Sequence, residues 1–346
     1  MIARSFLSTA IHWTGYVRAF TKIIPLALLL LCLPAFIARA EEMTSTFAIG
    51  GARIDVTIDA GKLEVSQSDL MHWVKSAAES VTAYYGRFPV PHLFLRISSF
   101  DGRGVRHGQT FDTDGGLITI RVGNASSPGE LVDDWMLTHE MLHLAFPSLE
   151  GNHHWMEEGL SVYVEPIARI RAGHLTAQQM WADLVRDLPK GLPQDGDHGL
   201  DHTHTWGRTY WGGALFCFVA DVEIHRKTQN KKGLEDALRG ILDAGGDIRK
   251  DWELEETLKI GDRATGTDVL VKLYDQMKDQ PVSVDLAALW KELGVVNEGG
   301  TIQFREDTPL AAVRLAITDG LSRKSAASGD VARPLTVFAG RTRGRA

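Results

Sequence analysis

The sequence predicts an α+β fold in which an N-terminal α/β lobe with an edge strand precedes a mainly α-helical lobe. Three observations carry this. Runs rich in β-branched residues concentrate before residue 128. Beyond Pro128 the apolar residues recur mostly at helical spacing. With 346 residues, 44% apolar and 23% charged, the chain has the composition of a folded protein that can bury a sizeable core.

Taken in order, Phe47, Ile49, Ile54, Val56 and Ile58 alternate about Gly50-Gly51 and predict paired strands. Leu70, Trp73, Val74, Ala77, Val81 and Tyr84 then mark one face of a helix over 69–85, and a strand is expected at 92–97. A glycine-rich loop leads to a β-branched strand over 116–122. Helices are predicted over 131–144, 155–170, 177–188, 210–225, 234–242 and 284–293. A late strand at 301–304 and a helix at 309–317 follow, and the Gly-, Ser-, Ala- and Arg-rich residues 321–346 read as a disordered tail. The domain reading is 41–320, divided into an α+β lobe at 41–127 and a helical lobe at 128–298.

Residues 1–40 carry Arg4, Arg18, Lys22 and Arg39 without an acid, and Ile23 to Ile37 is almost wholly apolar before Ala38-Arg39-Ala40. That is the layout of a signal peptide cleaved after Ala40, for a periplasmic or secreted protein. The apolar run falls short of the roughly 20 residues that span a bilayer, which favours cleavage; the long basic start leaves an uncleaved anchor as the alternative. Cys32 follows Leu30-Leu31 rather than small residues, so no lipoprotein is expected. Losing the leader's four cations takes the formal net charge from −7 to −11. A chain that acidic argues against nucleic acid as a partner. Cys217 is then the single cysteine left, which excludes an internal disulfide and predicts a buried small hydrophobe.

The chemistry gathers at His139-Glu140-Met141-Leu142-His143. Residues four apart share a helix face, so both imidazoles can serve one zinc ion, while Glu140 is placed to take a proton from a water there. A short link containing Pro147 and Gly151 leads to Trp155-Met156-Glu157-Glu158-Gly159-Leu160-Ser161-Val162-Tyr163. So short a link makes the two helices neighbours, and a carboxylate of the second can reach the ion. Glu158 is the expected third ligand. Glu157 is the chemical alternative, with His153 or His154 behind it.

HExxH followed by WxxEGxxxY resembles the gluzincin zinc metallopeptidases, which include the aminopeptidase N and glycyl aminopeptidase families. The resemblance implies a single Zn²⁺ between the two lobes, with Glu158, the acid just before the glycine, binding it. It also implies hydrolysis of a peptide or protein substrate. Tyr210-Trp211-Gly212-Gly213-Ala214 is similar to the YxKGA segment of the glycyl aminopeptidases, which marks Tyr210 as the oxyanion donor; His204 is its rival. Aminopeptidase N relatives grip the substrate's amino terminus with the glutamate of GxMEN on an edge strand. The segment aligned with it, Gly115-Gly116-Leu117-Ile118-Thr119, has Ile118 in the acid's place. The resemblance therefore does not carry aminopeptidase activity with it.

The expected roles are His139, His143 and Glu158 as metal ligands, Glu140 as the base and Tyr210 as the oxyanion donor. Glu165 is expected either behind a ligating histidine or, in preference, as a solvated charge. His198, His202 and His204 lie in a Gly- and Asp-rich stretch, read as a surface loop in preference to a second metal site. The competing functions are an exported binding or scaffold protein and a hydrolase of another substrate on the same fold.

Overall fold

The computed structural model describes residues 42–59 and 63–320. The expected signal peptide, Cys32 and the expected C-terminal tail lie outside the described residues. Among the described residues no helix is long and apolar enough to cross a membrane.

The N-terminal part is a mixed five-stranded sheet with one long helix. Strands β1 (Met43–Ile49) and β2 (Ala52–Ile58) form an antiparallel hairpin. Its two-residue turn is Gly50-Gly51, both at positive φ, which is the tight turn that suits the twist of paired strands. Helix α1 (Gln67–Tyr85) starts in a capping box between Ser66 and Asp69 and stops at Gly86, left-handed at φ 78. Strand β3 (His92–Phe100) then pairs parallel to β2, and β5 (Leu117–Gly123) parallel to β3. Ile54, Val56, Leu93, Leu95, Ile97, Ile118 and Ile120 all face the core.

The stretch expected as loop between β3 and β5 contains a further strand, β4 (Val105–Phe111), antiparallel to β5. The sheet order is β1-β2-β3-β5-β4, so β4 is the edge and β5 an interior strand. This corrects the placement of the edge at residues 115–119: Ile118 is fully buried in mid-sheet.

The remainder is helical apart from one small hairpin. The single helix expected over 131–144 is two, α2 (Pro128–Val132) and α3 (Met136–His143). Asp134 causes the break, accepting from the backbone N–H of Met136 and of Leu137, each at 3.1 Å, and from Trp73 of α1 at 3.0 Å. Short polar side chains compete for backbone donors in this way. Then come α4 (His154–Ala172), α5 (Ala177–Asp187), a π-helical stretch Gly207–Gly212 that runs straight into α6 (Gly213–Thr228), and α7 (Leu234–Asp243). Helices α8 (Leu254–Thr265) and α9 (Val269–Met277) add to those expected, and α10 (Leu286–Leu293) follows them. Strands β6 (Val295–Glu298) and β7 (Thr301–Phe304) pair before α11 (Ala311–Asp319).

Helix α4 is the hub, packing against α1, α3 and α6. Its contact with α6 is backbone against backbone. A Cβ on Gly159 would fall on Gly213 and Ala214, and a Cβ on Gly213 on the Trp155 carbonyl. Cys217, fully buried in α6, sits where the sequence places it.

Two predictions concern this scaffold. An alanine in a helix ordinarily gains about 1 kcal/mol over glycine, whereas overpacking costs about 1–3 kcal/mol or more. Gly159→Ala should therefore lower the unfolding free energy in denaturant titration; a gain would show that α4 and α6 are not in backbone contact. In the sheet, hydrogen bonds from Thr46 at 2.5 Å, Arg53 at 3.0 Å and His92 at 2.8 Å hold the Asp55 carboxyl at about 2, below its ordinary 3.8. The folded value lies below the unfolded one, so the stabilisation is full above about pH 4 and is lost as the pH falls through about 2. Asp55→Asn should melt below the wild type at pH 7, with the gap closing toward pH 2 and narrowing in high salt.

Candidate metal centre

Helix α3 presents two faces. Leu137, Met141 and Leu142 are fully buried in the core. His139 and His143, one turn apart, point the other way, with their Nε2 atoms 3.3 Å from each other. From α4, Glu158 places Oε2 3.1 Å from His139 Nε2 and 3.8 Å from His143 Nε2. The Ser161 hydroxyl lies 3.3 Å from His143 Nδ1 and fixes that ring with Nε2 inward.

These three donors fit a divalent ion. Four ligands at about 2.0–2.1 Å in tetrahedral array stand roughly 3.3 Å apart, close to the separations found here. Among the described residues they form the single group of His, Cys, Asp or Glu atoms gathered in this way. Two imidazoles and a carboxylate are also the donor types that zinc takes. Burial works against ionising Glu158, yet the two histidines hold its carboxyl below the ordinary value. Burial, then the neighbouring His139, lowers His143 to about 3, which keeps its ring neutral as a ligand must be.

The alternatives to Glu158 point elsewhere. Glu157 Oε1 accepts from the Leu149 backbone N–H at 3.1 Å and its Oε2 lies 3.2 Å from His154 Nδ1, so it clamps the α3–α4 link. His154 Nε2 sits 3.4 Å from the other oxygen of Glu158, at the margin of the group. His153 is buried apart from the cluster, against Tyr274 at 3.1 Å and Asp201 at 3.5 Å. Glu165 is buried, not solvated. Burial raises its carboxyl to about 7 against the pull of Arg169, which donates to it at 3.2 Å. It makes no hydrogen bond to His139, whose Nδ1 has no partner among the described residues.

Two of the donors, His143 and Glu158, open on a cleft of about 560 Å³ between β4 and the helices. Asp112, Glu140, Glu157 and Glu158 line it together with His143 and His154, and among the described residues no Lys or Arg does. Phe111, Phe146, Leu160 and Ile248 supply apolar wall. Glu140 is buried, which pushes its carboxyl up, and a 2.7 Å hydrogen bond from the Thr110 hydroxyl to Oε2 counters part of that push. Tyr210 lines the same space from the π-helical stretch, across from Glu140 and Glu158. Its ring stacks on Trp206 at 5.9 Å.

Of the loop histidines, His202 pairs with Asp279 at 2.7 Å, and His198 and His204 are exposed. They do not converge, and His204 does not line the cleft. Sequence reasoning passed over Thr110, Gly108 and Ser161, all of which touch the group. Ser161, three residues after Glu158 and so on the same side of α4, had a readable signal. The two β4 residues had none, since they meet Glu140 only through the fold.

No protein-family model matches the chain, and no curated protein matches its sequence. Solved structures do match. An aminopeptidase N family protein from Idiomarina loihiensis aligns over 74% of this chain and 50% of its own, with a TM-score of 0.57 and 13% identity. An M1 zinc metallopeptidase from Deinococcus radiodurans aligns over 71% and 53%, with a TM-score of 0.46 and 14% identity. The chain thus spans about half the length of the structures it matches. With the aminopeptidase N family protein it shares a fold, a mixed sheet followed by a helical region.

Proposed function

We propose that the protein is an exported zinc metallopeptidase that hydrolyses peptide bonds, with His139, His143 and Glu158 holding one ion and Glu140 acting as general base. The observation that carries the reading is the convergence of those three donors in a cleft where a buried carboxylate, Glu140, stands beside them. A purely structural zinc has no use for such a base. The fold shared with an aminopeptidase N family protein accords with it, and the basic, then apolar leader supports export.

Zinc held by His139, His143 and Glu158 would supply Lewis acidity to a water and a substrate carbonyl. Glu140 takes the proton of the attacking water and delivers it to the leaving amine. Its burial suits both halves of that task, because a carboxyl raised above its ordinary value binds the proton more readily between the two transfers. Tyr210 directs its hydroxyl at the oxygen that becomes charged, an interaction stronger in the transition state than before it. The outer rim of β4 presents unpaired backbone groups to an extended substrate, a mode of binding that needs no particular side chain.

The test is zinc content per chain together with cleavage of a broad peptide library. The wild type and Glu140→Gln should each carry about one zinc, and the substitution should lower the cleavage rate by about 10²–10⁴-fold. A zinc-loaded wild type that cuts nothing in the library would overturn the reading in favour of a binding protein. Tyr210→Phe should lower kcat by about 10²-fold with KM little changed. Glu158→Gln should lose zinc on dialysis against a weak chelator, whereas Glu157→Gln should retain it; the reverse order would move the third ligand to Glu157.

A further inference from the structure

We infer that Thr110 and Gly108 on the edge strand β4 are positioning residues that set the carboxylate of Glu140. The inference rests on Glu140 being the base. Thr110 Oγ1 lies 2.7 Å from Glu140 Oε2 and 2.9 Å from the backbone carbonyl oxygen of the same residue. One hydroxyl thus addresses both ends of Glu140. On the other side, a Cβ added to Gly108 would come within 2.6 Å of Glu140 Cγ and Oε1. The carboxylate is bracketed, one oxygen held by a donor and the other lodged where a side chain is missing.

The strand is shaped for this contact. Between the pairs Arg106↔Arg121 and Gln109↔Thr119, β4 spends His107 and Gly108 where β5 spends one residue. His107 adopts φ 55, in the left-handed region. Such a bulge bends the strand and re-aims its side chains. Gly108 and Thr110 stand two apart and so share a strand face, the one that meets α3.

The chemistry gives the bracket its purpose. A glutamate has three rotatable bonds, and a base must sit about 2.6–3.2 Å from the proton that it takes. Without Thr110 the carboxylate is free to swing, and fewer turnovers start from a competent geometry. The Thr110 hydroxyl is too weak an acid to give up its proton to the reaction, so it acts through Glu140.

The experiment compares Thr110→Val, which keeps the shape and removes the donor, with Thr110→Ser, which keeps the donor, and with Gly108→Ala. Thr110→Val and Gly108→Ala should lower kcat by about 10–100-fold with KM within about 2-fold, and Thr110→Ser should restore most of the rate. Zinc content should be the same in all three. Crystal structures of the metal-free variants supply a readout independent of turnover: the Glu140 carboxylate should leave β4 in Thr110→Val and Gly108→Ala and stay in Thr110→Ser. A carboxylate unmoved in Thr110→Val, or a kcat within about 3-fold of the wild type, overturns the inference. A wild type that cleaves no peptide sinks the peptidase reading instead, and the crystal structures still decide whether Thr110 and Gly108 hold Glu140.

Discussion

The backbone contact between α4 and α6 is the constraint from which the cleft's geometry follows. Two helices come this close only where small residues leave room, and here Gly159 meets Gly213. Glu158 is the residue immediately before the first of these, and Tyr210 stands three before the second. Closing the contact therefore sets a carboxylate and a phenol beside each other. Helix α3 is fixed by a different anchor, the Asp134 cap tied to Trp73 of α1. Each donor thus rides on an element held by contacts that do not involve the donors themselves. Such support from rigid elements is what keeps a site within the tolerance that catalysis requires.

Electrostatics explains why this arrangement calls for a cation. Several carboxylates line the cleft, two of them buried, and among the described residues no Lys or Arg lines it with them. Removing a charge from water is costly unless an opposite charge accompanies it. Elsewhere in the molecule buried Arg208 pairs with Asp197 at 2.7 Å and buried Arg169 with Glu165. In the cleft Glu158 faces the imidazoles of His139, His143 and His154 instead, a setting that suits the metal ion proposed there.

How much could be read beforehand depended on the range of each interaction. The ligand histidines, the base and Glu158 lie within twenty residues, on helices whose spacing is explicit, so their meeting followed from period and link length. Strand β4 was missed because its bulge breaks the two-residue alternation and its residues are mostly exposed, which leaves no apolar pattern. The same oversight hid Thr110 and Gly108 and put the edge on the wrong strand. Glu165 looked like a surface charge because a lone sequence does not reveal that Arg169 follows it into the core. The break at Asp134 was also hidden, since Trp73, its partner, lies about sixty residues away.

The π-helical stretch Gly207–Gly212 carries a consequence for insertions and deletions. An α-helix turns about 100° per residue, and π-helical turns hold a residue more than α-helical ones. Removing Trp211 or Gly212 would let α6 run on as regular helix while rotating Tyr210 by about 100° around the axis, out of the cleft. Gly213 and its contact with Gly159 would be untouched. A lineage that lost that one residue would keep the scaffold and the donors and yet surrender its phenol, so length in this short stretch is as informative about chemistry as the identity of any side chain in it.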